Sequence, residues 1–233
     1  MYRNKQQIGL GMASAFAMVA HDIKNSLGVL LRNIGLIEDG CQAESCPMRD
    51  QCADMEYEVR RINNNLVKML TLYKVEDGEY MLNVDAHSVA DFLDEVMLEH
   101  SVILREKRLK YEIVCDPDLY WYFDRNLMTG VIGNALNNAL RYTRDCIRLT
   151  AQCNDDGLLL VVEDNGEGFA QFMLDQQESA CRVESGFVNN NTGLGIYFTQ
   201  VALDMHRHGE KRGRVNLENG GELGGGRFLI LLP

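Results

Sequence analysis

The chain has 233 residues, 46% of them hydrophobic, which is enough for one large domain or two small ones with buried cores. Its formal net charge of −11 argues against binding to nucleic acid or to anionic membrane surfaces. Seven cysteines without a secretory signal are typical of a reducing compartment, so we expect a cytoplasmic location rather than a disulfide framework. No apolar run reaches the roughly 18 residues that a membrane span requires.

A heptad pattern near the N-terminus predicts one long helix over residues 4–39. Its apolar positions follow in alternating steps of four and three: Phe16, Ala20, Ile23, Leu27, Leu30, Ile34 and Ile37. His21 lies on the solvent-facing side of this helix, with Asp22 beside it and Asn25 one turn further along. A solvated or capping histidine is the usual explanation, but the flanking acid and amide favour chemistry at the imidazole.

A second heptad series predicts a helix that pairs with the first. Its apolar positions are Met55, Val59, Ile62, Leu66, Met69 and Tyr73. The loop CQAESCPMRDQC at 41–52 separates the two helices, which makes an antiparallel hairpin. Because one hairpin cannot bury both stripes, two copies are expected to form a four-helix bundle, and hence a homodimer. We expect a helical domain over residues 1–77 and a second domain over residues 78–233, joined at the polar segment 76–79.

The second domain shows alternating strand and helix patterns that predict an α/β sandwich, a mixed sheet with one layer of helices. The strands are expected at 80–84, 110–114, 120–123, 147–153, 158–162, 214–217 and 227–232, and the helices at 88–106, 125–142 and 193–207. The turn Asn154-Asp155-Asp156-Gly157 predicts a hairpin between the fourth and fifth strands.

Two asparagines share one face of the predicted 125–142 helix. Asn134 and Asn138 are four residues apart, and Arg141 and Tyr142 follow at the helix end. One explanation is a hydrogen-bonded polar network in the core. The other is that an amide oxygen binds Mg²⁺, which prefers oxygen ligands, while Arg141 meets a phosphate.

Two glycine-containing segments follow in the second domain. In Glu163-Asp164-Asn165-Gly166-Glu167-Gly168, an acid ends a strand before two closely spaced glycines, which suits either a plain turn or the approach of a base to a carboxylate. In Thr192-Gly193-Leu194-Gly195, glycines precede a helix, which is common in itself and also suits phosphate binding by backbone N–H groups. The irregular stretch of about twenty residues between them is typical of a lid.

In this order and spacing, the motifs resemble the cytoplasmic core of a sensor histidine kinase over nearly the whole chain. The matching segments are HDIKN, NALNNALRYT, DNGEGF, TGLG and GGGRFLILLP. The resemblance implies a dimeric hairpin that carries the phosphoacceptor, followed by a GHKL-type ATP-binding domain with the Bergerat-type ATP-binding fold. It also implies ATP and Mg²⁺ as the nucleotide and metal.

For the hairpin, the resemblance implies that His21 is the phosphoacceptor and that Asp22 takes the proton from its other ring nitrogen. Asn25 matches the position that the family associates with hydrolysis of the phosphorylated response regulator. Ser26 stands where a proline is common in the family, so we expect the helix to continue there without a kink.

For the second domain, the resemblance implies a nucleotide site with named roles. Asn138 would hold Mg²⁺, Asn134 and Arg141 would lie near the phosphates, and Tyr142 would pack on the nucleotide. Asp164 would read the adenine amine, in a pocket shaped by Gly166 and Gly168. The phosphate-side loop would contain Thr192, Gly193, Leu194 and Gly195.

The implied function is ATP-dependent autophosphorylation of His21 and transfer to an aspartate on the receiver domain of a response regulator, with an upstream sensor protein as a further partner. Two alternatives remain open. The protein is mainly a phosphatase of its regulator, or it is a non-catalytic phosphotransfer or scaffold protein with a degenerate nucleotide domain.

Three cysteines, Cys41, Cys46 and Cys52, lie within twelve residues at the expected hairpin tip. This density is compatible with a redox role, a soft metal or an iron–sulfur cluster, and equally with three reduced thiols. The spacing matches none of the common zinc patterns. His206 and His208 end a predicted helix, where a structural role as cations near the C-terminal dipole is expected.

Overall fold

The computed structural model describes residues 23–37, 47–171, 173–174 and 193–233. Their contacts divide the chain into two units, Met1–Tyr80 and Met81–Pro233. The N-terminal part of the predicted first helix lies outside the described residues. So do five predicted functional positions: His21 and Asp22, the loop cysteines Cys41 and Cys46, and Thr192.

The first unit contains two helices, α1 over residues 23–37 and α2 over Pro47–Glu76. Helix α1 continues through Ser26, as expected where proline is absent. Pro47 opens α2, a position at which its missing N–H is not needed for a helical hydrogen bond. The loop predicted over 41–52 is therefore wrong at its C-terminal end, and Cys52 lies buried on the helix.

Within each heptad series, alternate apolar positions differ in their exposure to solvent. On α1, Leu27 and Ile34 are buried, but the other apolar positions of the series are exposed: Ile23, Leu30 and Ile37. On α2 the exposed set has the same seven-residue spacing: Met55, Ile62 and Met69. Each helix thus has an apolar row that this unit leaves open to solvent. None of the described helices is long and apolar enough to cross a membrane.

The second unit follows the alternating pattern of strands and helices expected from the sequence. In chain order its elements are β1 (Val84–Ser88), α3 (Val89–Glu99), α4 (Ser101–Glu106), β2 (Lys110–Val114), β3 (Tyr120–Asp124), α5 (Arg125–Tyr142), β4 (Cys146–Asn154), β5 (Gly157–Asp164), α6 (Gly193–Met205), β6 (Arg207–His208), β7 (Lys211–Arg212), β8 (Arg214–Asn219) and β9 (Gly226–Leu232).

The main sheet has five strands in the order β2-β4-β5-β9-β8. Strand β2 is parallel to β4 and the other pairs are antiparallel, so the expected mixed sheet is confirmed. Strands β1 and β3 form a separate antiparallel pair. One face of the main sheet carries the apolar core against α3, α5 and α6, with buried side chains at Ile147, Leu149, Leu160, Phe228 and Ile230.

Helix α5, at the centre of the helical layer, has the bounds that the sequence predicts. Asp124 caps it, because its Oδ1 accepts a hydrogen bond from the Leu127 N–H at 3.0 Å. Its Oδ2 accepts from the Asn83 N–H at 2.9 Å, so both oxygens of this carboxylate have donors although the residue is only 1% exposed.

Three sequence predictions of local structure are wrong. The strand expected at 80–84 begins only at Val84, since Met81 is 90% exposed and contributes nothing to the core. The helix expected over 88–106 is split at His100 into α3 and α4. The helix expected over 193–207 ends at Met205, and Arg207–His208 instead pairs with Lys211–Arg212 in a small β6–β7 hairpin that has no signal in the hydrophobic pattern.

His206 joins the end of α6 to the start of α5. Its Nε2 accepts the Asp124 N–H at 2.9 Å, and its Nδ1–H donates to the Ala202 carbonyl at 2.7 Å. One accepting and one donating nitrogen define a neutral imidazole. Burial lowers the pKa of His206 below its ordinary value, against smaller opposing effects of the Ala202 carbonyl and the Asp124 carboxylate. The role of His206 is structural, as expected, but its imidazole is neutral and not the cation that the sequence analysis expects.

The free energy of unfolding should therefore fall as the pH drops below about 6.5, the ordinary histidine pKa. The lowered pKa in the folded state means that the unfolded chain takes up a proton that the folded ring does not, so this part of the stability is complete above that pH and is lost as the pH falls. Denaturant unfolding of wild type and His206→Gln at several pH values measures it, and the variant should have the smaller pH dependence. The exposed His208, changed to Gln, is the control; an equal change in slope for both variants contradicts the assignment.

Candidate nucleotide site

Asp164 lies at the end of β5, on the face of the sheet that carries the helices. Its strand partner is Ile147, and it is only 5% exposed. Burial raises the pKa of the Asp164 carboxyl, while backbone N–H groups of Gly166 and Gly226 oppose the shift. The Gly166 N–H donates to Oδ1 at 2.7 Å. A buried carboxyl group held by backbone donors has a fixed orientation, which is what a site that recognises an amine requires.

Asn165 fixes the turn after Asp164, a role that the sequence analysis missed. Its Oδ1 accepts hydrogen bonds from the Thr143 hydroxyl at 3.0 Å and from three successive backbone N–H groups at 3.1 to 3.2 Å, those of Arg144, Asp145 and Cys146. The end of α5 is thereby bound to the turn after β5. Asparagine commonly stabilises turns by bonding to nearby backbone, and this preference was the only signal in the sequence. It could not identify the partners of Asn165, which lie about twenty residues away along the chain.

Positions 166 and 168 require glycine because atoms of other residues approach them too closely for a side chain. A Cβ on Gly166 would lie 2.0 Å from the Tyr142 carbonyl oxygen, far inside van der Waals contact. Gly168 has φ of +81°, and a Cβ there would lie 2.6 Å from Asn219 Oδ1. Asn219 also binds the Phe169 backbone twice, accepting from its N–H at 2.6 Å and donating to its carbonyl at 2.8 Å.

The two asparagines of α5 differ in their surroundings. Asn134 is 6% exposed, and its Nδ2 donates to the Gly195 carbonyl at 2.9 Å and to the Thr199 hydroxyl at 3.1 Å. This bond joins α5 to the start of α6, so Asn134 takes part in a polar core network. Asn138, one turn further on, is half-buried, and its side chain makes no hydrogen bond to another described residue.

The other predicted site residues lie at the ends of these elements. Arg141 is exposed and its guanidinium lies 5.5 Å from the ring centre of Tyr142, itself 41% exposed. Gly193 is the first residue of α6, and Leu194 and Gly195 are half-buried in its first turn. The end of α5, the start of α6 and the turn after β5 are thus joined by the contacts of Asn134, Asn165 and Gly166.

Two predicted features lie in the first unit. Asn25 is exposed on α1. Of the three cysteines only Cys52 is described, buried on α2. Within the described ranges, no group of three or more His, Cys, Asp or Glu side chains could hold a metal ion, so the suggestion of a metal or cluster at the cysteine loop gains no support there.

Comparison with protein families places this geometry in a known class. Residues 123–233 match the family described as histidine kinase-, DNA gyrase B- and HSP90-like ATPase. This segment runs from the end of β3 to the C-terminus. The resemblance to a histidine kinase catalytic core, and the expected ATP-binding fold, are confirmed.

Among characterised proteins, the chain is similar to Sensor protein SrrB of Staphylococcus aureus, with 24% identity over 226 residues. That alignment covers 93% of this chain and 37% of SrrB, so the chain spans well under half the length of that relative.

Solved structures agree on the fold. The Acinetobacter baumannii histidine kinase AdeS superposes with a TM-score of 0.57 and 19% identity, over 91% of this chain and 96% of that one. Full-length ShkA in complex with AMPPNP gives a TM-score of 0.63 at 20% identity, over 94% of this chain and 45% of that one. The catalytic domain of histidine kinase ThkA gives 0.53 at 19% identity, over 65% and 96%.

Changing Gly166 to Ala should abolish ATP binding and lower the free energy of unfolding by about 1–3 kcal/mol, because the new methyl group would displace the end of α5 from the turn. Gly133→Ala on the same helix is the matched control, since a Cβ there meets nothing within 4 Å. It should bind ATP normally and gain about 0.4–1 kcal/mol of stability. Calorimetric titration and thermal melts measure both; ATP binding by Gly166→Ala contradicts the site.

Proposed function

We propose that this chain is the kinase core of a two-component system, which uses ATP to phosphorylate His21 and passes the phosphoryl group to an aspartate of a receiver domain. The observation that carries the nucleotide part is the buried Asp164 carboxyl group, held by glycine N–H groups on the helical side of the sheet. The family match of residues 123–233 supports ATP as the nucleotide.

In this proposal Asp164 accepts a hydrogen bond from the exocyclic amine of adenine. The turn of Gly166 and Gly168 lets the base approach. Gly166 has no side chain to crowd the carboxyl group, since a Cβ there would lie 2.9 Å from Asp164 Oδ1. Tyr142, exposed at the end of α5, packs on the nucleotide, and the exposed Arg141 meets its phosphates. Thr192 and the first turn of α6, with Gly193, Leu194 and Gly195, offer backbone N–H groups to the phosphates.

Mg²⁺ fits the residues available on α5. Asn138 offers an amide oxygen that no described residue occupies, whereas Asn134 is tied to α6 by its amide nitrogen. Magnesium commonly takes one or two protein oxygens and completes its shell with water and phosphate oxygens. When bound, the ion neutralises charge on the phosphates as the terminal phosphoryl group leaves. Asn138 is therefore the proposed protein ligand, and Asn134 is a support for the phosphate-side turn.

The acceptor chemistry rests on the hairpin sequence. One ring nitrogen of His21 attacks the terminal phosphorus, the bond from that phosphorus to the bridging oxygen breaks, and ADP leaves. Asp22 accepts the proton from the other ring nitrogen, which raises the nucleophilicity of the ring. The phosphoryl group then passes to a carboxylate oxygen of the receiver aspartate, and His21 is regenerated.

The proposed homodimer has support in the first unit. Exposed apolar rows at heptad spacing on both helices, Ile23-Leu30-Ile37 and Met55-Ile62-Met69, suit burial against a second hairpin. A four-helix bundle of two copies would cover both rows.

Incubation with γ-labelled ATP and Mg²⁺ should give acid-labile, alkali-stable label on the wild type and none on His21→Gln. Asn138→Ala should lose labelling by more than about tenfold, through loss of the metal ligand. The neighbouring Asn137→Ala is the matched control and should label normally. Label that survives in His21→Gln contradicts the acceptor assignment. A wild type that binds no ATP contradicts the kinase proposal and favours the non-catalytic scaffold alternative.

The phosphatase alternative is favoured by one observation, the exposure of Asn25 on α1, four residues after His21 in the sequence. If Asn25 orients the attacking water, Asn25→Ala should slow dephosphorylation of a phosphorylated receiver by about 10²-fold or more and leave phosphotransfer within about twofold. Asn33→Ala, also exposed on α1, is the control. Equal rates for Asn25→Ala and wild type contradict this role.

A further inference from the structure

The face of the main sheet opposite the helices carries a row of charges that crosses all five strands. The strand pairing places Glu112 beside Arg148, Arg148 beside Glu163, Glu163 beside Arg227, and Arg227 beside Glu218. The sign alternates at every step, so each cation has acids on both sides. We call these five residues the charged row.

The ends of the charged row are ordinary surface ion pairs. Arg148 Nε lies 2.9 Å from Glu112 Oε2, and an Arg227 terminal nitrogen lies 3.0 Å from Glu218 Oε2. Such exposed pairs contribute little to stability. The centre is different: Glu163 is only 6% exposed, and its Oε1 accepts the Leu223 N–H at 2.8 Å. A carboxylate in that position is costly to bury unless hydrogen bonds and neighbouring opposite charges compensate it.

What Glu163 holds is the loop 220–225 between β8 and β9. Gly221 has φ of +77°, and a Cβ there would lie 2.3 Å from Glu163 Oε1 and 2.5 Å from Arg227 Cδ. Glu222 reaches Arg148, with 2.5 Å between the Glu222 carboxylate oxygen and the guanidinium. The loop therefore lies against the charged row, with glycine at the point of closest approach.

The other end of the same loop reaches Asp164. The Gly225 N–H donates to the Asp164 carbonyl at 3.1 Å, and a Cβ on Gly225 would lie 2.6 Å from both Asp164 Oδ1 and the Gly166 nitrogen. A Cβ on Gly226 would lie 3.0 Å from Asp164 Oδ2. Neighbouring residues of β5 thus contact one loop from opposite faces of the sheet, Glu163 through its side chain and Asp164 through backbone and carboxyl group.

We propose that Glu163 is a positioning residue for the nucleotide site. By binding the Leu223 N–H it fixes the loop 220–225, and the loop in turn places Gly225 and Gly226 against Asp164 and sets the direction of its carboxyl group. Glu163 itself touches no nucleotide. The inference rests on the proposed function, because the property it controls is recognition of the adenine amine by Asp164.

The experiment compares two glycine-to-alanine changes in the loop. Gly221→Ala pushes a methyl group into Glu163, whereas Gly224, with a nearly equal φ of +82°, has nothing within 4 Å of a Cβ. Both changes carry similar backbone strain, so they differ in the contacts of the new methyl group with Glu163 and Arg227 of the charged row. Dissociation constants are measured for ATP and for inosine triphosphate, which has an oxygen in place of the adenine amine.

The wild type should prefer ATP by at least about 100-fold, since a site built to bond an N–H rejects an analogue that lacks it. Gly221→Ala should lose at least about tenfold of that preference, equivalent to one charged hydrogen bond. Gly224→Ala should stay within about twofold of wild type. Equal preference in the two variants, or an equal loss of affinity for both nucleotides in Gly221→Ala, overturns the inference. A wild type without preference overturns the proposed adenine contact instead, and the inference falls with it.

A second pair of variants tests Glu163 directly and covers the case in which Gly221→Ala does not fold. Glu163→Gln keeps an oxygen that accepts the Leu223 N–H and should keep the ATP preference within about threefold. Glu163→Leu loses the acceptor and should behave like Gly221→Ala in its ATP preference, with a lower thermal stability as well, because the Leu223 N–H and the neighbouring arginines are left without their partner. The same preference in the Gln and Leu variants overturns the inference.

Discussion

The second unit depends on one constraint, the burial of the Asp164 carboxyl group at the end of the central strand β5. A buried acid needs hydrogen-bond donors, and here backbone N–H groups supply them. Those groups can approach only where side chains are missing, which accounts for Gly166 and for the glycines that begin β9. The apolar sheet and its helical layer form the scaffold for a single polar position.

Asparagines and histidine bind the surrounding segments to that position. Asn165 connects the turn to the end of α5, Asn219 connects it to the end of β8, and Asn134 connects α5 to α6. His206 adds the last of these connections, because it joins the end of α6 to Asp124, the residue that caps α5. Each of these side chains bonds to backbone of another element, so a displacement at one is transmitted to the next.

The first unit differs from the second because apolar side chains on both of its helices are exposed to solvent. Each helix leaves one half of its heptad series exposed, while the other half is buried on α1 and half-buried on α2, which a single hairpin cannot avoid. The two units therefore divide the proposed function between them. In that proposal the first unit supplies the assembly surface and the acceptor histidine, and the second supplies the nucleotide site.

The sequence alone determined the features whose causes are local. These include the helical periodicity of α1 and α2, the strand β2, the bounds of α5 and the glycines at positions 166 and 168, because periodicity, caps and turns are properties of neighbouring residues. Only the tertiary structure decided the role of Asn134, the neutral state of His206 and the break at His100. It alone revealed the charged row, whose members lie between residues 112 and 227 and meet only when β-strands from distant parts of the chain pair. Hydrogen bonds and burial between distant segments leave no periodic trace in the sequence, so the fold had to be seen before they could be assigned.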